Sequence, residues 1–333
     1  MGLRSYLVKR SIYTFVLILF VITLNFIIFE VMPGSPVEAI ASSGKLHDES
    51  QVREVIARFG LDKDVFTRFR LYAANMLTFQ FGFSYYTSQP VGNEILGRVS
   101  NTLALVGFAT LLSIVVGIFL GVVAASRRGG FFDSASVTGS LVTFSLPTFF
   151  MGLVAILIFF YYLHWFPVGH DQPDVWALYP PNTGTIGGVL GLIGGRLQHL
   201  FLPVMVLFLF QYGGYLLLTR ATMIESLTDD YILTSRAKGL SEKTVLFKHA
   251  LKNASLPIVT SVALGIGFIM SGAIITETVF SYEGMGQWIL RSINNADYPA
   301  MQAIFYIIAL MVIIANFLAD VLLGIIDPRI KYG

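Results

Sequence analysis

The sequence contains no cysteine and little charge, and each shortage excludes a class of protein. Without cysteine the chain cannot form a disulfide framework or a thiolate metal site. Charged residues make up 13% of the 333 residues and hydrophobic residues 55%, whereas soluble globular proteins carry about 25% charged residues. The formal net charge of +2 argues against an extended nucleic-acid-binding surface. We therefore predict an integral membrane protein, in contact with a lipid bilayer and with no nucleic-acid partner.

Motifs for nucleotide binding and catalysis are also missing. The stretch 239–244 contains Lys243 and Thr244, but no glycine precedes the lysine, so it cannot form the phosphate-wrapping loop of a Walker A motif. The sequence has no HExxH, no nucleophile elbow and no paired acid and base, and its five histidines lack metal-ligand spacing. We predict that the chain is not an enzyme and itself binds no cofactor or metal.

Six hydrophobic runs are each long enough to cross about 30 Å of hydrocarbon. The first could instead be a secretory signal peptide, but the apolar part of such a peptide is usually only about 7–15 residues long. Pro147 lies within the third run and predicts a kink there. The predicted spans are residues 11–31, 103–125, 137–163, 200–218, 257–275 and 301–326.

Lysine and arginine residues predict the orientation of these spans. With the N-terminus inside, thirteen of them fall on cytoplasmic segments and two on the two shorter outer segments. The positive-inside rule weighs short loops most strongly. Both termini are therefore predicted to be cytoplasmic.

The first outer segment predicts a small, mainly helical extracytoplasmic insertion between the first two spans. Apolar spacing predicts one amphipathic helix over 52–59 and a second over 65–76. Residues 79–89 predict an aromatic loop or a short strand, and 164–198 an outer loop. The predicted domains are 1–32 (N-terminus and first span), 33–99 (insertion) and 100–333 (five-helix core).

Residues 229–257 form a polar stretch between apolar ones and predict two short helices. Two acids open the first helix and two bases close it, which suits the helix dipole. Gly239 follows where a helix commonly ends in a left-handed residue, and Ser241 is a good N-cap for the second helix. A new hydrophobic segment is expected from Pro257. Four residues predict one apolar face on the second helix: Phe247, Ala250, Leu251 and Ala254.

A basic helix-turn-helix between membrane spans suggests a docking element for another protein, with an ordinary cytoplasmic loop as the alternative. The run Arg236-Ala237-Lys238-Gly239-Leu240-Ser241, with residues 246–254, resembles the coupling loop of ABC-importer permeases of the dipeptide/oligopeptide branch. Where the wider family has Glu-Ala-Ala, this chain has Leu233, Thr234 and Ser235. Further motifs follow the family's order at 32–36, 145–149, 276–280, 284–286, 297–299 and 327–330.

This resemblance implies a type I ABC-importer transmembrane domain in the inner membrane of a prokaryote, with six helices and half of a translocation pathway. It implies a second homologous permease subunit, two ATPase subunits that hold ATP and Mg, and an extracytoplasmic substrate-binding protein. The residues implied in coupling are Tyr231, Thr234, Ser235, Arg236, Ala237, Lys238, Gly239 and Leu240. Those implied in the pathway are Gly265, Gly267, Met270, Ser271 and Ile274, for which helix packing is the alternative.

Alternatives remain for cargo and class. Relatives of this branch carry peptides, oligosaccharides, nickel chelates or glutathione. An ion-driven secondary transporter would predict inverted repeats and charged residues at the membrane midplane, and neither is found. An intramembrane enzyme would need deep catalytic groups, whereas snorkelling or helix packing accounts for the polar residues in or near the spans. These residues are Asn25, Glu30, Gln211, Glu277, Asn316 and Asp320.

Overall fold

The computed structural model describes residues 3–31, 63–269 and 273–326. Within these ranges the chain is mostly helical, with an isolated bridge between Phe83 and Pro90 and no strand. The helix predicted over 52–59 and the motifs at 32–36 and 327–330 lie outside the described residues.

The described helices are numbered in chain order. They are α1 (Leu3–Val31), α2 (Val65–Leu77), α3 (Val91–Ser126), α4 (Phe131–Ser145), α5 (Thr148–Tyr162), α6 (Ile186–Leu227), α7 (Asp230–Ala237), α8 (Glu242–Thr244, a π segment Val245–Ala250, then Leu251–Ile269), α9 (Ile274–Val279), α10 (Met285–Asn294) and α11 (Tyr298–Ile326). A short 3₁₀ turn at Asp174–Ala177 precedes α6.

Four of these helices are long and apolar enough to cross a membrane, or five if the bent pair α4–α5 counts as one span. The predicted first, second, fourth and sixth spans lie within α1, α3, α6 and α11 and are confirmed as helices. Residues 186–198 were predicted as loop, and this is wrong: α6 begins at Ile186. The hydroxyl of Thr185 accepts a hydrogen bond from Gly188 N at 3.1 Å and caps the helix there.

The third predicted span, 137–163, is two helices rather than one kinked helix. α4 ends at Ser145, α5 begins at Thr148, and the two are bent by 97°. Leu146 before Pro147 has an extended backbone, with φ −82° and ψ 131°. The proline ring disfavours the helical conformation for the residue before it, which accounts for a break in place of a kink.

The fifth predicted span, 257–275, lies within α8 as far as Ile269, but its predicted end is wrong. α8 starts at Glu242 and runs through Pro257, while Ala273 is non-helical, with φ −117° and ψ 62°. Pro257 cannot bond the carbonyl of Asn253, but both residues are exposed, so that carbonyl is not trapped in the core. Because 270–272 lie outside the described residues, the count of six spans stays a prediction.

The helices α3 and α6 form the centre of the bundle, and two glycines bring their backbones together. A methyl group at Gly117 would lie 2.7 Å from the carbonyl oxygen of Tyr212. One at Gly121 would lie 2.8 Å from the carbonyl oxygen of Leu216. These two glycines therefore allow α3 and α6 to pack closely.

The helices α1 and α11 pack side by side in opposite directions. Near one end, the Asn25 side chain donates to the carbonyl oxygen of Gln302 at 3.0 Å. At the other end, Arg10 forms an ion pair with Asp320. The start of α1 and the end of α11 thus lie at the same end of the bundle, while their cytoplasmic location stays a prediction.

The helix predicted over 65–76 is confirmed as α2, where Asp64 accepts a hydrogen bond from Thr67 N at 3.1 Å. A hydrogen bond from the Thr67 hydroxyl, together with the one from Thr67 N, holds the pKa of Asp64 below its usual range. Residues 79–90 form an aromatic loop rather than a strand. The buried Asp297 anchors it, accepting from Ser84 Oγ at 2.5 Å and Tyr85 N at 3.0 Å. The domain boundary predicted at 99/100 falls inside α3.

Candidate functional site: a coupling helix pair and a central cavity

The turn between α7 and α8 has the conformation that the sequence predicts. Gly239 has φ +76°, in the left-handed region that favours glycine. Nothing lies within 4 Å of a Cβ built there, so backbone conformation rather than space selects the glycine. Ser241 caps α8 by accepting from Thr244 N at 3.4 Å. Arg236 spans the turn, with its Nε 2.8 Å from Glu242 Oε1.

The second helix of the predicted pair is not short, and its buried face differs from the prediction. In the π segment the period is about 4.4 residues rather than 3.6, so residues five apart share a side. Val245, Ala250, Ala254 and Ile258 are buried, at spacings of five, four and four. Phe247, predicted on the buried face, is 40% exposed.

The helix α7 and the start of α8 pack against the rest of the bundle and do not form a loosely attached loop. Ile232 of α7 and Val245 of α8 are fully buried and pack with Val122 of α3 and Met223 of α6. The Ser226 hydroxyl donates to the carbonyl oxygen of Ala250 at 3.1 Å and bonds the Tyr231 hydroxyl. The ends of α3 and α6 therefore share one apolar core with α7 and α8.

The predicted coupling residues divide between two faces. Ser235 is buried and Tyr231 is half-buried, so these two side chains attach α7 to the bundle. Leu233 adds an apolar side chain that is 65% exposed. The remaining six predicted residues form an exposed surface, the coupling surface: Thr234, Arg236, Ala237, Lys238, Gly239 and Leu240.

A cavity of about 770 Å³ lies between α3, α4, α5, α6, α8 and α9. Of the residues predicted to line the pathway, Gly265 and Ile274 border it. Gly267 lies in α8, and Met270 and Ser271 lie outside the described residues. The prediction missed the contributions of the other helices, which no local sequence pattern marks. These include Thr110 of α3, Phe144 of α4, Thr148 of α5, and Phe210, Gln211 and Tyr215 of α6.

The polar groups at the cavity wall are neutral. Thr110 Oγ1 donates to Gln211 Oε1 at 3.0 Å, linking α3 to α6. The Tyr215 hydroxyl points at Gly265, where any side chain would overlap it. No charged side chain belongs to the described wall of the cavity.

A buried carboxylate fixes α9, the helix that closes one side of the cavity. Glu277 is fully buried and accepts from Thr102 Oγ1 at 2.8 Å and from Gly286 N at 2.7 Å. A third bond comes from Gln287 N at 3.1 Å, and Thr102 in turn accepts from Met285 N at 2.8 Å. These bonds tie α9 to α3 and to the first turn of α10. Of the two explanations predicted for Glu277, snorkelling is wrong and helix packing is confirmed.

Three of the other polar residues flagged in or near the spans also join helices to one another. The bonds of Asn25, Gln211 and Asp320 all cross between helices. Such bonds satisfy polar groups that hydrocarbon cannot. None of these three contacts assembles an acid and a base around a reacting position.

Comparison with known proteins shows the family to which the chain belongs. The family described as "Binding-protein-dependent transport system inner membrane component" matches residues 117–332, and its N-terminal counterpart matches residues 3–106. The chain is 36% identical over 315 residues, 93% of each chain, to a di/tripeptide transport system permease protein of Pseudomonas aeruginosa. It is 31% identical to an oligopeptide transport system permease protein of Bacillus subtilis, covering 99% of this chain and 100% of that one.

A third relative is named for a different cargo. A glutathione transport system permease protein of Shigella boydii is 32% identical, covering 98% of this chain and 99% of that one. The two family matches together take in both the coupling surface and most of the residues around the cavity. The chain therefore belongs to the inner membrane components of binding-protein-dependent transport systems, the permease family of ABC importers.

Proposed function

We propose that this chain is a peptide permease, supplying half of the translocation pathway of an ATP-driven importer of di- or oligopeptides. The observation that carries the proposal is the continuity of α8. It begins at the coupling surface beside Gly239 and borders the central cavity with Gly265. The names of the relatives from Pseudomonas aeruginosa and Bacillus subtilis support peptides as the cargo.

The proposed complex contains a second, homologous permease subunit, two ATPase subunits and an extracytoplasmic binding protein. ATP and Mg are held by the ATPase subunits, because this sequence contains no phosphate-binding loop of the Walker type. The coupling surface faces the cytoplasm with both termini, and residues 33–99 lie outside. The distribution of lysine and arginine supports this orientation.

The proposed mechanism is alternating access. Closure of the ATPase subunits moves the coupling surface, and because α7 and α8 share a core with α3 and α6, the bundle moves with it. The cavity then opens to the other side of the membrane. Bond-breaking chemistry takes place in the partner subunits, and this chain converts their movement into a change of access.

Glutathione is the second candidate cargo, favoured by the name of the relative from Shigella boydii. Glutathione is itself a small peptide, so a pathway of this shape suits either cargo. Selection between them is expected to rest largely with the binding protein.

Uptake by the reconstituted complex tests the proposal. Liposomes containing this chain with its second permease and ATPase subunits receive the binding protein and ATP, and uptake of radiolabelled tripeptides and glutathione is followed. ATP-dependent tripeptide uptake that needs this chain is the expected result. Uptake of glutathione alone selects the second cargo, and uptake driven by an ion gradient without ATP overturns the assignment.

A further inference from the structure

Two polar groups at the cavity wall can donate hydrogen bonds but have no acceptor among the described residues. Gln211 Oε1 accepts from Thr110, but the Gln211 Nε2 group has no hydrogen-bond partner among the described residues. The Tyr215 hydroxyl likewise bonds to none of them, and it is directed at Gly265. Gln211 and Tyr215 are four residues apart in α6, so they lie on the same face of that helix, one turn apart.

The rest of the wall indicates what kind of molecule these groups can hold. The cavity volume, about 770 Å³, is within the range of sites that bind small organic ligands. The stacked rings of Phe144 and Phe210, with centroids 5.4 Å apart, form an apolar part of the wall. A cargo with carbonyl groups at regular intervals and variable side chains fits a wall of this composition.

We propose that the Gln211 amide and the Tyr215 hydroxyl donate hydrogen bonds to the main-chain carbonyl oxygens of a peptide in transit. The proposal rests on the proposed function and names the groups that contact the cargo. The main chain is common to all peptides, and the described wall carries no charge. The cavity therefore accepts acidic, basic and neutral peptides alike and leaves the choice of sequence to the binding protein.

Uptake of three matched tripeptides, Ala-Ala-Ala, Ala-Lys-Ala and Ala-Glu-Ala, tests this in the complete reconstituted complex. Gln211→Leu and Tyr215→Phe each remove one donor. Each is expected to lower uptake about fivefold, by the same factor for all three peptides, because one hydrogen bond to the shared main chain is lost. Gln198→Leu on the exposed part of α6 and Tyr161→Phe on α5 are the matched controls and leave uptake unchanged.

A charge placed in the cavity provides an independent test. Gln211→Glu puts a carboxylate beside the passing peptide, and uptake of Ala-Glu-Ala is expected to fall about tenfold relative to Ala-Lys-Ala. The wild-type complex shows no such preference once binding-protein affinities are corrected for. Variants that carry all three peptides at the wild-type rate would overturn the proposal. A Gln211→Leu defect confined to one peptide would also overturn it. The same holds if the Gln211→Leu chain fails to assemble, because this would mean that the second permease fills the cavity.

The wild-type result separates this proposal from the function on which it rests. If the wild-type complex carries none of the tripeptides, the proposed function fails and the contact assignment fails with it. If the wild type carries all three and the variants are indistinguishable from the controls, only the contact assignment fails.

Discussion

Arg220 and Asp133 form a two-point ion pair that joins the C-terminal part of α6 to the first turn of α4. Arg220 Nε lies 2.5 Å from Asp133 Oδ1, and Nη2 lies 2.8 Å from Oδ2. Asp133 is buried and also accepts from Gly129 N at 2.9 Å. Planar, paired hydrogen bonds of this kind are specific to arginine. The pair therefore fixes the position of α4 against α6, in addition to balancing the charge of Asp133.

Arg220→Lys keeps the charge and removes the second bond. We expect a loss of about 2 kcal/mol in the free energy of unfolding, because a charged hydrogen bond to a buried carboxylate is broken. Arg70→Lys, at an exposed arginine of α2, is the control and should be neutral. Heating the detergent-solubilised protein and measuring the fraction that remains monodisperse checks this. Equal behaviour of the two variants would show that the ion pair is dispensable.

Gly239→Val tests the coupling turn. A β-branched residue held at φ +76° costs on the order of 1–3 kcal/mol in backbone strain, and nothing lies within 4 Å of its Cβ to offset that cost by packing. The variant should insert and fold, but ATP hydrolysis by the complex should continue with little transport, or the ATPase subunits should bind weakly. Parallel uptake and ATPase assays in liposomes check this.

Gly239→Ala should be milder than Gly239→Val, and Lys248→Ala on an exposed face milder still. Transport by Gly239→Val at the wild-type rate would mean that the turn is only a connector, as the alternative interpretation of this stretch holds.

Gly117→Leu tests the contact between α3 and α6. The side chain would meet the backbone of Tyr212, which cannot move without separating the two helices, so we expect a loss of about 3 kcal/mol. Gly107→Leu is the control on the same helix, because nothing lies within 4 Å of a Cβ at Gly107. Yield and thermal stability in detergent should fall for the first variant and not for the second.

Glu277→Ala tests the buried carboxylate. The change leaves the N–H groups of Gly286 and Gln287 without the acceptor they have in the native protein. We expect about 3 kcal/mol of destabilisation, and less for Glu277→Gln, which keeps one acceptor oxygen. Glu225→Ala, at an exposed position of α6, should have no effect. A stable Glu277→Ala protein with normal transport would contradict the role given to this carboxylate in holding α9.

Cysteine labelling tests the predicted orientation. Because the chain has no native cysteine, only the introduced one can react in this chain. Single cysteines replace Lys63 and Lys248, which are both exposed. In intact cells an impermeant thiol reagent should label the first and not the second, while both should react in opened membranes. The reverse pattern would invert the topology.

The features that the sequence predicted well are local. An apolar run of sufficient length, a capping serine at 241 and a glycine in the left-handed region at 239 each depend on neighbouring residues alone. Proline was a poorer guide, because Pro147 ends a helix whereas Pro203 and Pro257 lie inside helices. The outcome depends on whether the freed backbone groups find partners elsewhere, and the sequence does not show this.

The features that the sequence could not predict depend on the register of a helix and on contacts between residues far apart in the chain. The buried face of α8 was placed with a period of 3.6 residues, and one π segment shifts that face from Phe247 to Val245. The contacts of Asp133 with Arg220 and of Glu277 with Thr102 join residues far apart in the chain. Gln211 was recognised as a polar residue in a span, but its place at the cavity wall follows from the packing of α3 against α6.

Within the described residues α8 continues without a break from Glu242 to Ile269, and this continuity has a mechanical consequence. From Glu242 to Gly265 the helix is about 35 Å long, comparable with the thickness of the hydrocarbon layer. A tilt of about 5° about the Glu242 end therefore displaces the end at the cavity by about 3 Å, as a lever does. Such a displacement is as large as a hydrogen bond is long, so a small tilt at the start of α8 is enough to make or break a contact at the cavity.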